Sequence, residues 1–138
     1  MAGPKLVFMR IESNEMNRIL IIEDDEISLA ILIHALASLG IVDFEFASDG
    51  AKGLKVLDSM LPPPSVIICD MFMPGTDGIE FVNALAAKKF TGGLVMVTGG
   101  DVQYMDIACT VARAHGVNVL AELTKPLSAQ SLAAVLQL

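Results

Sequence analysis

The sequence predicts an open α/β sandwich, a parallel sheet with helices on both faces. Three observations carry that prediction. Five short apolar runs alternate with five segments of helical period. All the runs except the second are apolar on both faces, as a sheet covered by helices requires. Acids, a hydroxyl and a lysine stand just past the ends of four of the runs. Open sheets of this kind hold their ligands beyond the carboxyl ends of the strands.

The elements follow in order. Residues 18–22, "RILII", read as a buried strand that ends on "EDDE". From 27 to 39 the period becomes helical, and Gly40 stops the helix. Residues 41–47, "IVDFEFA", alternate and are rich in β-branched and aromatic side chains, so they form a second strand. "SDG" turns into a helix over about 51–60, which Pro62, Pro63 and Pro64 end. "VIIC" is the third strand and "DMFMPGTDG" a loop. "IEFVNALAAKK", broken by Gly92-Gly93, is the third helix, and "LVMVT" the fourth strand. Residues 102–115 form the fourth helix, closed by Gly116; "VNVLAEL" is the fifth strand. Ser128 caps a last helix reaching Leu136.

Composition bounds the rest. A chain of 138 residues makes one domain with a substantial core. Its 54% hydrophobic and 18% charged residues belong to a compact protein, not a disordered one. The net charge of -7 gives no general attraction for nucleic acid or anionic membrane, so neither is expected as a direct partner. No run reaches a membrane-spanning length without a charge or a breaker. Cys69 and Cys109 lie in apolar surroundings without metal-ligand spacing, and read as buried thiols of a cytoplasmic protein. Residues 1–17 lack the apolar core and cleavage site of a signal peptide. They read as an N-terminal extension, and residues 18–138 as the domain.

The chemistry collects at the strand ends. Glu23, Asp24 and Asp25 follow the first strand, Asp70 the third, Thr98 the fourth, and Lys125-Pro126 the fifth. These strands can be neighbours. Clustered carboxylates raise one another's pKa unless a cation joins them. Oxygen-only ligands suit Mg²⁺ or Mn²⁺, which also favour phosphate oxygens. A lysine beside them would neutralise a phosphoryl group, and a threonine hydroxyl could donate to one. The chemistry this set serves is phosphoryl transfer to a carboxylate, with an aspartate as nucleophile.

With these residues in hand, the sequence from 18 to 136 resembles the receiver domains of two-component response regulators. That family places an acid pair after its first strand, matched by Glu23-Asp24 in "LIIEDDE". Its phospho-accepting aspartate after the third strand is matched by Asp70 in "VIICDMFMPGTDG". Its proline, Asp-Gly helix start, switch threonine and Lys-Pro pair are matched by Pro74, Asp77-Gly78, Thr98 and Lys125-Pro126, the last peptide bond often being cis. The resemblance implies a flavodoxin-like (βα)5 sandwich with strand order 2-1-3-4-5. It implies Mg²⁺ held by the side chains of Asp24 and Asp70, by the Phe72 carbonyl, and by Glu23 through water. Lys125 would pair with Asp70 and then with the phosphoryl group, towards which Thr98 would move. Phe72 and Gly100 would flank the path of the attacking water. The apolar Phe72 then implies a long-lived phosphorylated state. The implied partner is a histidine kinase or histidine phosphotransfer protein. A homodimer through the face of the fourth helix, fifth strand and fifth helix is a further candidate. The implied activity is self-phosphorylation and dephosphorylation without a metabolic substrate.

Two departures stand out. Glu122 occupies the position three before the lysine, where the family commonly has an aromatic. The interval from Thr98 to Lys125 is also longer than usual, with the extra length expected in the fourth helix and the loop after it. Both leave room for a rival reading, a receiver-like module that docks partners without being phosphorylated. A small-ester phosphohydrolase would need a substrate-covering cap, and no insertion is long enough for one. With no room for an output domain, the chain reads as a stand-alone regulator or a fragment of a longer one. Elsewhere plain roles are expected. Asp25 caps a helix, Glu26 is a first-turn acid, and His34, His115, Tyr104 and Met105 are packing or surface residues. Gly99-Gly100 lacks any surrounding nucleotide-binding pattern.

Overall fold

The computed structural model describes residues 17–73 and 75–138. Of the expected N-terminal extension only Asn17 falls among them, and Pro74 lies outside. Five strands, β1 (Ile19–Ile22), β2 (Phe44–Ala47), β3 (Val66–Asp70), β4 (Gly93–Thr98) and β5 (Asn118–Thr124), alternate with five helices. These are α1 (Glu26–Ser38), α2 (Gly50–Ser59), α3 (Gly78–Ala87), α4 (Val102–Ala114) and α5 (Ala129–Leu136). Every strand pair of the main sheet is parallel and the order is 2-1-3-4-5, so the fold is a flavodoxin-like (βα)5 sandwich. The acid-rich stretch read as a loop holds a small antiparallel ribbon, Phe72–Met73 against Thr76–Asp77.

Strand alternation sorts the core into two layers. Leu20 and Ile22 of β1, Ile67 and Cys69 of β3, and Leu94 and Met96 of β4 face α2, α3 and α4. Ile19, Ile21, Ile68, Val95 and Val97 face α1 and α5. Phe81, Leu85, Leu36 and Leu132 are fully buried anchors from the helices. Both layers hold the central strands β1, β3 and β4 rigidly, and the carboxyl ends of these strands carry the acids and Thr98. β5 is apolar in sequence yet only half-buried, because it is an edge strand.

All five helices start on a side-chain cap. Asp25, Asp49, Asp77 and Asp101 accept from the backbone N–H three residues on, and Ser128 forms a capping box with Ser131. Asp25 thus serves as a cap, as its position suggested. Gly78, the first residue of α3, lies under the Met71 side chain, whose Cε would stand 2.4 Å from a Cβ there and would have to move aside for one.

The helix ends correct three sequence expectations. After α1, Gly40 has φ 81° and donates to the Ala37 carbonyl, while Ile41 N–H donates to Leu36 O. This paired arrangement satisfies the last carbonyls, so Ile41 belongs to the helix stop and β2 begins at Phe44. Gly116 and Val117 repeat it after α4, and Val117 likewise leaves the expected strand. After α3, the left-handed residue is Lys89, at φ 57°, followed by Phe90 N–H donating to Leu85 O. The third helix therefore ends at Ala87, ahead of the glycine pair expected to break it. Gly92 and Gly93 serve close packing instead. A Cβ on Gly92 would lie 2.8 Å from Ser65 O, and one on Gly93 would lie 2.3 Å from Leu120 Cδ1.

Leu120 also accounts for part of the extra length between Thr98 and Lys125. Leu94 pairs with Val119 and Val95 with Ala121, so Leu120 is an additional residue bulged out of β5. That residue lies in the strand and not in the helix or loop where it was expected.

Candidate functional site

The carboxyl ends of β1, β3 and β4 meet one another, and the loop after β5 folds over them. Asp70 closes β3 opposite Val97, so Thr98 stands one register position beyond it on β4. Lys125 N–H donates to Thr98 O at 2.8 Å, which brings the lysine back over the sheet. The Lys125-Pro126 peptide bond is cis, as the resemblance implied.

The lysine side chain is the hub. Its Nζ donates to Asp70 Oδ2 at 2.9 Å and to Glu23 Oε1. Asp70 Oδ1 accepts from the backbone N–H of Phe72 at 3.2 Å. Asp24 is exposed, whereas Glu23 and Asp70 are buried. One oxygen from each of Glu23, Asp24 and Asp70 lies within 4.8 Å of the others. Thr98 is fully buried, and its Oγ1 accepts from Gly100 N–H at 3.1 Å.

Burial sets the electrostatics. It is the chief reason that the Glu23 carboxyl is pushed up to about 7, with the hydrogen bond and charge of Asp70 adding to it and Lys125 opposing it. For Lys125, burial works against the charged form, but the bonds to Glu23 and Asp70 outweigh it and hold the ammonium above its ordinary value. Burial likewise drives up both thiols, Cys69 far above the ordinary range and Cys109 to about 12. Neither is therefore a nucleophile near neutral pH.

The donor set fits a hard divalent cation. It is all oxygen, and Glu23 Oε2 is buried without a protein partner. Three carboxylates against one ammonium leave two negative charges, which a divalent ion balances. The acid cluster is compatible with such an ion without distinguishing Mg²⁺ from Mn²⁺.

Sequence reading gathers Glu23, Asp24, Asp70 and Lys125 correctly to one point, with Thr98 adjacent. It misses that Lys125 bridges two carboxylates, because the depth of Glu23 beneath the loop cannot be read from spacing. It also misses a contact of Phe72. The Phe72 ring stacks on Tyr104 of α4, with centroids 5.7 Å apart and planes at 22°. Glu122 sits partly buried on β5 with an oxygen 3.7 Å from Arg113 of α4, beside Cys109.

Comparison with known proteins agrees with this geometry. The profile of the response regulator receiver domain matches residues 19–137. A probable chemotaxis protein CheY of Rhizobium etli is 28% identical over 126 residues, which cover 89% of this chain and 92% of that one. The PhoP regulator of alkaline phosphatase synthesis from Bacillus subtilis is 30% identical over 89 residues, but this chain spans only 36% of its length. Among solved structures, chemotaxis protein CheY4 of Vibrio cholerae superposes with a TM-score of 0.70 at 28% identity, covering 87% of this chain and 95% of that one. A receiver domain protein from Clostridium thermocellum shares the fold, with a TM-score of 0.72 at 23% identity. Among the described residues no helix is long and apolar enough to cross a membrane. A matching profile over nearly the whole described chain, with an acid cluster and a lysine at the strand ends, makes this chain a member of the CheY-like receiver domain family of two-component response regulators, whose general function is phosphorelay.

Proposed function

We propose that residues 18–138 form a phosphoacceptor domain in which Asp70 takes a phosphoryl group from a phosphohistidine on a histidine kinase or phosphotransfer protein. The single observation that carries this reading is the Lys125 ammonium bridging Asp70 and the buried Glu23 at the sheet's carboxyl edge. It sets an acceptor, a phosphate counter-charge and a cation cradle within reach of one another.

An Asp70 carboxylate oxygen attacks phosphorus while the P–N bond breaks, and its electron pair stays on the imidazole. The product is an acyl phosphate. The Phe72 N–H and Lys125 hold the carboxylate before transfer and are free to turn to phosphoryl oxygens afterwards. The Thr98 oxygen accepts from Gly100 N–H, so its own proton is available to a phosphoryl oxygen. Glu23, Asp24 and Asp70, with the Phe72 carbonyl, would hold Mg²⁺, which when bound supplies charge balance for the phosphoryl oxygens. Loss of the group is attack by water on phosphorus with return of the carboxylate. The output is a change of conformation and not a metabolite.

The test is intact-mass measurement after treatment with a small phosphodonor, with and without Mg²⁺. Wild type should gain one phosphoryl group only with the metal. Asp70→Asn should gain none while remaining folded, since the amide cannot form the acyl phosphate and relieves carboxylate crowding. An undiminished adduct on the variant would remove Asp70 from the role. Absence of any adduct on wild type would favour the docking-module reading.

A further inference from the structure

We propose that Tyr104 is a positioning residue for the acyl phosphate. It holds the Phe72 ring across the neighbouring ends of β3 and β4 and so restricts the approach of water to Asp70. The inference rests on Asp70 being the acceptor, and extends that reading to a residue outside the acid cluster.

The geometry is local and specific. β3 and β4 are adjacent strands. Phe72 lies in the loop leaving β3, and Tyr104 in the first turn of α4, which follows the loop leaving β4. Their stack therefore ties the stretch that follows Asp70 to the helix that follows Thr98. Phe72 is fastened to the acceptor by its own N–H on Asp70 Oδ1, and Met71 N–H holds the same loop to Val97 O at 2.9 Å. Tyr104 is fastened in turn. Its N–H is capped by Asp101, and its side chain packs against the core layer under α4. One partner of the stack thus belongs to the acceptor loop and the other to a rigid helix.

Gly99 and Gly100 offer no side chain next to Thr98, and a Cβ built on Gly100 would meet nothing within 4 Å. Half of the Phe72 surface is open to solvent, so core packing alone does not fix its ring. The face of Tyr104 supplies that fixation. The preference of aromatic pairs for offset stacking gives it a definite geometry.

Decay of purified phosphoprotein, followed by intact mass after the donor is removed at constant Mg²⁺ and pH, tests the proposal. Tyr104→Leu keeps the apolar contact with the core but lacks a ring. It should lose phosphate about two- to tenfold faster than wild type, the range expected for losing one aromatic pair. Tyr104→Phe should decay like wild type, because the stack needs the ring and not the hydroxyl. Phe72→Leu should decay faster too, and the double variant Phe72→Leu/Tyr104→Leu no faster than the quicker single one, since both remove the same contact. Wild-type decay in Tyr104→Leu, or effects that multiply in the double variant, would overturn the role of Tyr104 while leaving Asp70 as acceptor. Failure of wild type to take up any phosphate would instead overturn the acceptor reading, and this one with it.

Discussion

At the scale of single residues, burial separates acids that look alike in the sequence. Glu23, Asp24, Asp25 and Glu26 are four consecutive acids. Asp25 turns to its helix, where the Ser28 amide holds its carboxyl below the usual range. Asp24 faces solvent, while Glu23 is sealed beneath Lys125. Because Asp24 is exposed and offers an oxygen to the acid cluster, its removal should cost metal and not fold. Asp24→Ala is expected to lose most of its Mg²⁺ affinity, read by calorimetric titration, while its metal-free denaturation midpoint stays at the wild-type value. Equal affinity in the two proteins would exclude Asp24 from the cation site. That Asp70, Thr98 and Lys125 meet was legible because each stands at or just past the end of a strand, and strand ends in a parallel sheet converge. The Phe72–Tyr104 stack was not legible. Its partners lie 32 positions apart, one just past β3 and the other in the first turn of α4, and no periodicity links residues of separate elements.

At the scale of elements, the five strands of the main sheet and the five helices were legible in type, the short ribbon after Asp70 was not, and most boundary errors sit at the helix stops. Ile41 and Val117 are apolar and β-branched, so they look like strand starts. Their backbone N–H groups are instead committed to helix carbonyls behind a left-handed glycine. The third stop was hidden further because its left-handed residue is Lys89, which carries no sequence signature for that conformation. A side chain there opposes its own carbonyl geometry at a cost of about 1–2 kcal/mol, partly offset by the greater unfolded-state freedom of glycine. Lys89 is exposed, so little contact is lost on replacing it. Lys89→Gly should therefore stabilise the protein by about 0.5–1 kcal/mol. An upward shift of the urea midpoint with unchanged slope is the expected reading. A lower midpoint would mean that Lys89 makes contacts worth more than its backbone strain.

At the scale of the whole molecule, the acidity of the chain is distributed with purpose. Four aspartates stabilise helix starts, and three acids converge on one cluster compatible with a divalent cation. The second group has a thermodynamic consequence for the metal-free protein. Glu23 titrates near 7 when folded and near 4.5 when unfolded. Between those values the folded state binds the extra proton, so stability falls as pH rises from about 4.5 to about 7, and this contribution is level above that. Lys125, raised above its ordinary 10.5, changes stability only at far higher pH. Asp25, lowered from 3.8, acts only at lower pH. The window therefore belongs to Glu23, and its ceiling is about 3 kcal/mol. Glu23→Gln isolates it. Without metal, the variant should match wild type near pH 4.5 and exceed it by about 1–3 kcal/mol at pH 8, because the amide has no charge to bury. Adding Mg²⁺ should reverse that order at pH 8 by stabilising wild type more, since only the carboxylate rewards the ion. Parallel pH profiles for the two metal-free proteins between pH 4.5 and 8 would show that Glu23 ionises without cost beneath Lys125.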